Sequence, residues 1–551
     1  MKNRQDASLS LDQSSIKGLQ RPIISDAKSC QQWLAALPLT QAAAAHTEIQ
    51  LQLELLNHTS ALSGIERLRI QEHLRESVAY VQSELAKKYA GKAAPLDVAE
   101  LAVWKKVILL WQGCTHAYQI CLQNYQDNDR ALASFAPTIL QRILGLVGQQ
   151  MVEYLRTYQS IPETLWNQLH KTYVTAEELG LEKIVVKDPL NRMVESTRPE
   201  SSYVKALLLD LADTYHLNTR QLDQVDRWLD KWAARINILK TPAAPHLDLK
   251  LPPQVVDFSR PMGIQIGTLL ETGATIRHLD ITPLASTLVK RIKHLRKGGD
   301  PRELDVGEDC KQPGCEALLF WLFQQWCEPQ KQRAFERRAG GQKVQVAFTL
   351  AAIHFFCNGG KAYRQPGERS HQDLTWREVE DFQMFGRVSS QTQKLQASQV
   401  GFATENWQIQ DESALGFRLI ADGLHAARVT LNQLVAIRHP QAKHFAIGHV
   451  RWIRFDADDE LNIGIHAFPG IPMAVGIRAP VLISSLQNKF TQAFLLPEIP
   501  TIKEAATLIL PQGWYGPNKI LELHIDDTLR LRLTHLIERG ADFERVAFEV
   551  K

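Results

Sequence analysis

Hydrophobic positions recur at spacings of three and four through the first part of the chain and at spacings of two through the last. Ile70, Leu74, Val78, Val81 and Leu85 form the apolar stripe of an amphipathic helix that should end near Gly91. Val98 to Leu122, carrying Leu101, Trp104, Ile108, Leu109 and Trp111, reads as a longer central helix. Pro137 to Tyr158 and Pro162 to Leu179 each open on proline, which a first helical turn tolerates. Tyr203 to Leu217 and Thr219 to Ala234 make a further pair, with Asn218 beside the joint as a candidate N-cap. Short links set neighbouring helices antiparallel, so residues 29–240 are expected to form an all-α helical bundle or stack.

Beyond the linker Thr241 to Pro245 the pattern changes. Alternation at Leu247, Leu249 and Leu251, at Ile264 and Ile266, and from Thr275 to Leu279 is followed by helical runs Thr282 to Lys297 and Cys315 to Cys327, an α+β module over residues 246–330. Strand-like runs then follow at Lys343 to Phe356, Trp407 to Leu419, Leu434 to Ile437, Phe445 to Ile453 and Leu461 to His466. Pro and Asp turns separate the later runs, which predicts a small antiparallel β-barrel over residues 331–480. Residues 358–403 read as an insertion, with a helix from Thr375 to Phe385 opened by a Thr375–Glu378 capping box. Further strands over residues 497–551 predict either a second β module or an extension of the barrel. The fold class is thus multidomain: helices first, an α+β module, then antiparallel β.

Composition narrows the function more than the fold. A chain of 551 residues exceeds one ordinary core, and 44% hydrophobic with 22% charged residues is the balance of a globular protein. A net charge of +3 gives no global attraction to nucleic acid or anionic lipid. The densest basic run, Lys290 to Lys297, precedes Gly298-Gly299, where cations complement a helix C-terminus, and nucleic-acid contact there is the lesser alternative. Residues 1–28 read as a flexible leader without a secretory signal, and no apolar run is read as spanning a bilayer. Seven cysteines without paired spacing argue for reduced thiols and a cytoplasmic protein. No nucleophile elbow, phosphate-binding loop, zinc-protease helix or dinucleotide fingerprint is present, and the histidines show no metal-ligand spacing, so neither an enzyme nor a metal site is expected.

One polar constellation exceeds what folding requires. Arg333 and Arg337, spaced by four positions with Arg338 adjacent, precede a strand, and Asp411, Ser413 and Gly416 interrupt a later one. Singly, the first is two arginines on a helix face and the second a turn. In this order the pattern Arg-x-x-x-Arg followed by Asp-x-Ser-x-x-Gly resembles the PilZ domain, the cyclic di-GMP receptor module, from about Lys331 to Arg478. The resemblance implies a non-catalytic receptor that needs no cofactor and takes cyclic di-GMP as its ligand through Arg333, Arg337, Arg338, Asp411, Ser413 and Gly416. It also implies output to an unidentified protein partner and a bearing on motility or biofilm.

The residue chemistry agrees with that ligand. A guanidinium fork meets guanine O6 and N7 together or grips phosphate, a carboxylate accepts from the guanine N1 and N2 hydrogens, and glycine lets backbone approach. The alternative is an adaptor whose barrel has lost the nucleotide and serves protein contacts alone.

Overall fold

The structure, a computed structural model, describes residues 22–551 apart from 192, 243–249, 268–271, 329–336, 367–383, 385–400, 423–426, 457 and 481–488. Arg333, the helix expected over Thr375 to Phe385, and most of the linker therefore lie outside the described residues. The chain divides into two units, Met1–Lys92 with Leu96–Gln332, and Ala93–Pro95 with Arg333–Lys551.

Helices dominate the first unit. They are α1 (Ala27–Ala36), α2 (Ala42–His58), α3 (Gly64–Ala86), α4 (Val98–Gln126), α5 (Ala136–Leu155), α6 (Glu163–Glu178), α7 (Pro199–Leu211) and α8 (Thr219–Trp232). The expected leader is cut short, because Asp26 caps α1 through Ser29 N and Ile24 is fully buried. Asp97 and Asn218 close reciprocal capping boxes at the starts of α4 and α8, each satisfying backbone donors that a helix start leaves free. Arg130 to Leu155 is long and apolar enough to cross a bilayer by length and composition, against the expectation that no such run exists. In the folded unit α5 is a core helix, with Ile139, Leu140, Ile143, Leu144 and Val147 all fully buried.

The expected α+β module does not stand apart from the helices. A short strand, β1 (Val186–Lys187), pairs with β2 (Ser196–Thr197). A sheet in the order β3 (Asn237–Leu239), β6 (Ile276–Asp280), β4 (Gln254–Asp257), β5 (Gln265–Ile266) is followed by α9 (Thr282–Arg296) and α10 (Gly314–Cys327). One apolar cluster runs from Leu68 through Trp228 and Trp232 to Trp326 and Cys327, so these elements share the helical core. Periodicity alone could not reveal this, since it reports which face is apolar and not what that face meets. Cys310 and Cys315 form a disulfide, which corrects the reading of wholly reduced thiols, while Cys30, Cys114, Cys121 and Cys327 are free and buried. In the basic run Arg291 is buried over the Trp232 ring, and Arg296 pairs with Glu316 at 3.0 Å while covering Phe320.

The second unit is built on antiparallel strands. Strands β8 (Lys343–Phe348), β9 (Glu405–Ser413), β10 (Gly416–Ala421), β13 (Leu461–Ala467), β12 (Ala446–Phe455) and β11 (Leu434–Arg438) pair in a ring, with β7 (Arg338–Ala339) added on β9. A second, closed barrel follows the order β14 (Met473–Arg478), β15 (Thr491–Leu496), β16 (Thr507–Pro511), β19 (Phe543–Val550), β18 (Thr528–Arg539), β17 (Ile520–His524). Its first strand, Met473–Arg478, had been expected within the preceding barrel. The run Lys343 to Phe356 is likewise not one strand. Thr349 turns the chain at φ +68° and its hydroxyl accepts from Ala352 N, starting helix α11 (Leu350–Cys357). Ile353 of that helix, Ala436 and Ile447 of the first barrel, and Phe494 and Ile509 of the second belong to one buried cluster.

Candidate ligand-binding site

The site begins with a register fault. Strand β9 pairs with β10 from Ser413 opposite Gly416 to Asp411 opposite Arg418, and then the next β10 residue, Leu419, faces Ile409. Gln410 is skipped, and such a bulge re-aims the side chains beyond it. Trp407 and Ile409 point into the barrel and are 0% and 1% exposed. Simple alternation would send Asp411 and Ser413 inward after them. The bulge puts Asp411 on the outer face instead, opposite Arg418.

Directly paired residues in neighbouring strands share a face of the sheet. Ile453, Ile463, Leu419 and Ile409 make one inward row across β12, β13, β10 and β9, all essentially unexposed. The next row on the outer face is Trp452, Gly464, Arg418 and Asp411, continued to Ala339 on β7. A Cβ on Gly464 would overlap the Trp452 indole, so the ring occupies the space left by the missing side chain. Arg418 donates to Asn462 Oδ1 at 3.2 Å from Nη2, and Asn462 is itself buried and donates to Asp456 and to Glu460 O.

Four expected residues converge here. Arg337 is ion-paired with Asp411, both about one-quarter exposed. A Cβ on Gly416 would lie 3.1 Å from Ser413 Oγ and 3.9 Å from Arg337 Nη2, so glycine leaves a small gap between the hydroxyl and the guanidinium. Ser413 Oγ also reaches Gly416 O at 3.4 Å. Arg338 is exposed on β7, opposite Glu412, whose carboxylate meets His439 Nε2 at 3.0 Å. Arg333 lies outside the described residues, so its place in the cluster rests on the sequence pattern alone.

Sequence reasoning missed Arg418 and Trp452. Arg418 stands two residues after Gly416 on the same strand, which is itself a signal that the two share a face. Trp452 enters only through the pairing of β12 with β13. Among the described residues no group of three or more His, Cys, Asp or Glu side chains is placed to hold a metal ion.

Comparison with known proteins locates resemblance on both sides of this cluster. Residues 28–243 match the N-terminal domain of the cyclic-di-GMP receptor FimW, and residues 479–550 match the FimW C-terminal β-barrel domain. Over 520 residues the chain is 22% identical to the cyclic-di-GMP receptor FimW of Pseudomonas aeruginosa, covering 88% of this chain and 84% of that protein. The stretch from Arg337 to Gly416 falls between the two matched domains and within neither.

Proposed function

We propose that this chain, carrying both the N-terminal domain and the C-terminal β-barrel of the FimW receptors, is itself a receptor for cyclic di-GMP, with a PilZ-type module in its first barrel. The observation that carries the reading is the meeting of Arg337, Asp411, Ser413 and Gly416 on one outward patch beside Arg418 and Trp452. Cyclic di-GMP presents two phosphates and two purines. Arg337, with Arg333 ahead of it, grips phosphate or the guanine O6–N7 edge, Asp411 accepts from the guanine N1 and N2 hydrogens, and Ser413 donates to phosphate. Arg338, paired with Glu412, stands on the other face of the strand. The Trp452 indole supplies a flat face for a base.

The protein acts by binding, in the cytoplasm, and passes occupancy to a protein partner; cell fractionation tests the location. A second reading, an adaptor without nucleotide, draws on the ion pair that already engages both Arg337 and Asp411. Calorimetry of the full chain with cyclic di-GMP decides between them. Saturable heat whose affinity Arg337→Ala and Asp411→Ala each weaken supports the receptor. Absence of heat at millimolar nucleotide leaves the adaptor.

A further inference from the structure

Beside Trp452 on the outer face of the first barrel stands an exposed cation, Arg451, that the nucleotide site as described does not use. Strand β12 carries a register fault of its own: Val450 faces Ile465 on β13, Trp452 faces Gly464, and Arg451 between them is skipped. Val450 and Ile453 are fully buried while Arg451 is exposed, so the bulge sets Arg451 on the outer face next to the indole. We infer that Arg451 binds a phosphate of the cyclic dinucleotide, from the side of the site opposite Arg337. The inference rests on the receptor reading and extends it to a residue outside the Arg-x-x-x-Arg and Asp-x-Ser-x-x-Gly pattern.

The sheet register brings Arg451 to the site. Ser413 faces Gly416, Gly416 faces His466, and His466 faces His449. This row runs beside the row of Asp411, Arg418, Gly464 and Trp452, on the same face of the sheet. On β9, β10 and β13 a single residue separates the two rows. On β12 the bulge separates them by two, Val450 and Arg451, and only Arg451 turns outward. It therefore stands at the common end of two rows whose other end holds Asp411 and Ser413. Four strands spaced by about 4.8 Å put about 14 Å between those ends, so Arg337 and Arg451 flank the patch from opposite sides.

Charge and chemistry choose the phosphate. Arg337 is already opposed by Asp411, and Arg418 leans on the neutral Asn462. Arg451 makes no ion pair among the described residues. Its field still reaches its surroundings. Burial raises the Glu538 carboxyl of the second barrel, and Arg451 and then Arg545 pull it back; burial lowers the His466 imidazole, and Arg451 lowers it further. Arg545 has its own partner in Glu504 at 2.7 Å, and Glu538 meets His449 Nε2 at 3.2 Å. Arg451 is thus an exposed guanidinium with no carboxylate in contact, beside an indole. A base stacked on that indole carries its phosphodiester one sugar away, where a guanidinium can grip it through two parallel N–H donors.

Calorimetry of the full chain with cyclic di-GMP tests the assignment. Arg451→Gln should weaken binding about tenfold to a hundredfold, the loss of one charged hydrogen-bonded contact. Arg451→Lys should fall in between, because the charge stays and the fork goes. Arg530→Gln removes the same charge from an exposed position at the other end of β18 from Glu538 and should leave the affinity unchanged. Since the contact is electrostatic, the decline of affinity with added salt should be shallower in Arg451→Gln than in the parent, which a merely structural role would not produce. No binding by the parent chain overturns the receptor reading and this inference together. Parent binding that Arg451→Gln leaves intact, a loss in Arg530→Gln as large as that in Arg451→Gln, or an unchanged salt dependence overturns this inference and leaves the receptor standing.

Discussion

The guanidinium of Arg337 and the carboxylate of Asp411 are ion-paired at the point where β7 is added to β9, with both side chains about one-quarter exposed. A pair this wet contributes only about 0–1 kcal/mol to folding. Its worth lies in presenting both groups at one place. Arg337→Ala should therefore leave the melting temperature within a few degrees of the parent protein while lowering cyclic di-GMP affinity by about tenfold to a hundredfold, the cost of a lost charged hydrogen bond. Thermal melting and calorimetry on one preparation check both halves. A large loss of stability with affinity unchanged would make the pair structural.

Trp452 owes its position to the missing side chain of Gly464. Gly464→Ala should expel the indole from that space, and Trp452→Ala should remove it outright. If the ring carries a base, each change costs about 1–3 kcal/mol of binding, and Trp452→Phe, which keeps a flat face, costs less. Titrating the three variants against nucleotide gives the order directly. Equal affinities would remove the tryptophan from the site.

These two cases also mark what the sequence made legible. Asp411, Ser413 and Gly416 lie within six positions and could be read together, and the helices announced themselves through Asn218 and the stripe from Ile70 to Leu85. The skipped residue Gln410 could not be read, because a bulge exists only in the pairing of two strands. The same holds for the row from Trp452 to Asp411, which joins two hairpins, Glu405–Ala421 and Ala446–Ala467, that are separate in the chain. Nor did periodicity show that α9 and α10 share a core with the helices before them, or that Met473–Arg478 opens the second barrel, since both facts concern partners and not faces.

Acid should loosen the second unit through His449. This residue is 1% exposed, and burial, aided by the positive charge of Arg451, holds its imidazole far below the ordinary value of 6.5, at about 3. His466 and Arg545 add to that effect, and Glu538 faces the ring at 3.2 Å. The unfolded chain then binds the proton first, so His449 subtracts stability as pH falls from about 6.5 toward 3, by up to about 1.4 kcal/mol per unit. Burial raises the Glu538 carboxyl above 4.5, so its folded form takes up a proton early and offsets part of the loss. Protection factors in Ala446–Phe455, with the intrinsic pH dependence of amide exchange divided out, should fall between pH 7 and 5.5, and His449→Gln should flatten that slope. An unchanged slope in the variant would assign the acid sensitivity elsewhere.

Ile353 tests whether the two barrels of the second unit fold together. It is fully buried on the short helix Leu350–Cys357, in a cluster that includes Ala436 and Ile447 from one barrel and Phe494, Ile509 and Phe543 from the other. Truncating it leaves a cavity whose lining belongs to both, so Ile353→Ala should cost about 2–5 kcal/mol. Because the lost contacts are shared, the loss should reach both barrels equally. Hydrogen exchange under mild denaturant can follow β12 and β16 separately in the full chain. A common rise in exchange along both strands identifies one cooperative unit, as expected when packing joins elements into a single opening event. Faster exchange in β16 with β12 unmoved would mean that the second barrel opens alone, and the helix would then be an attachment to one barrel and not the core of two.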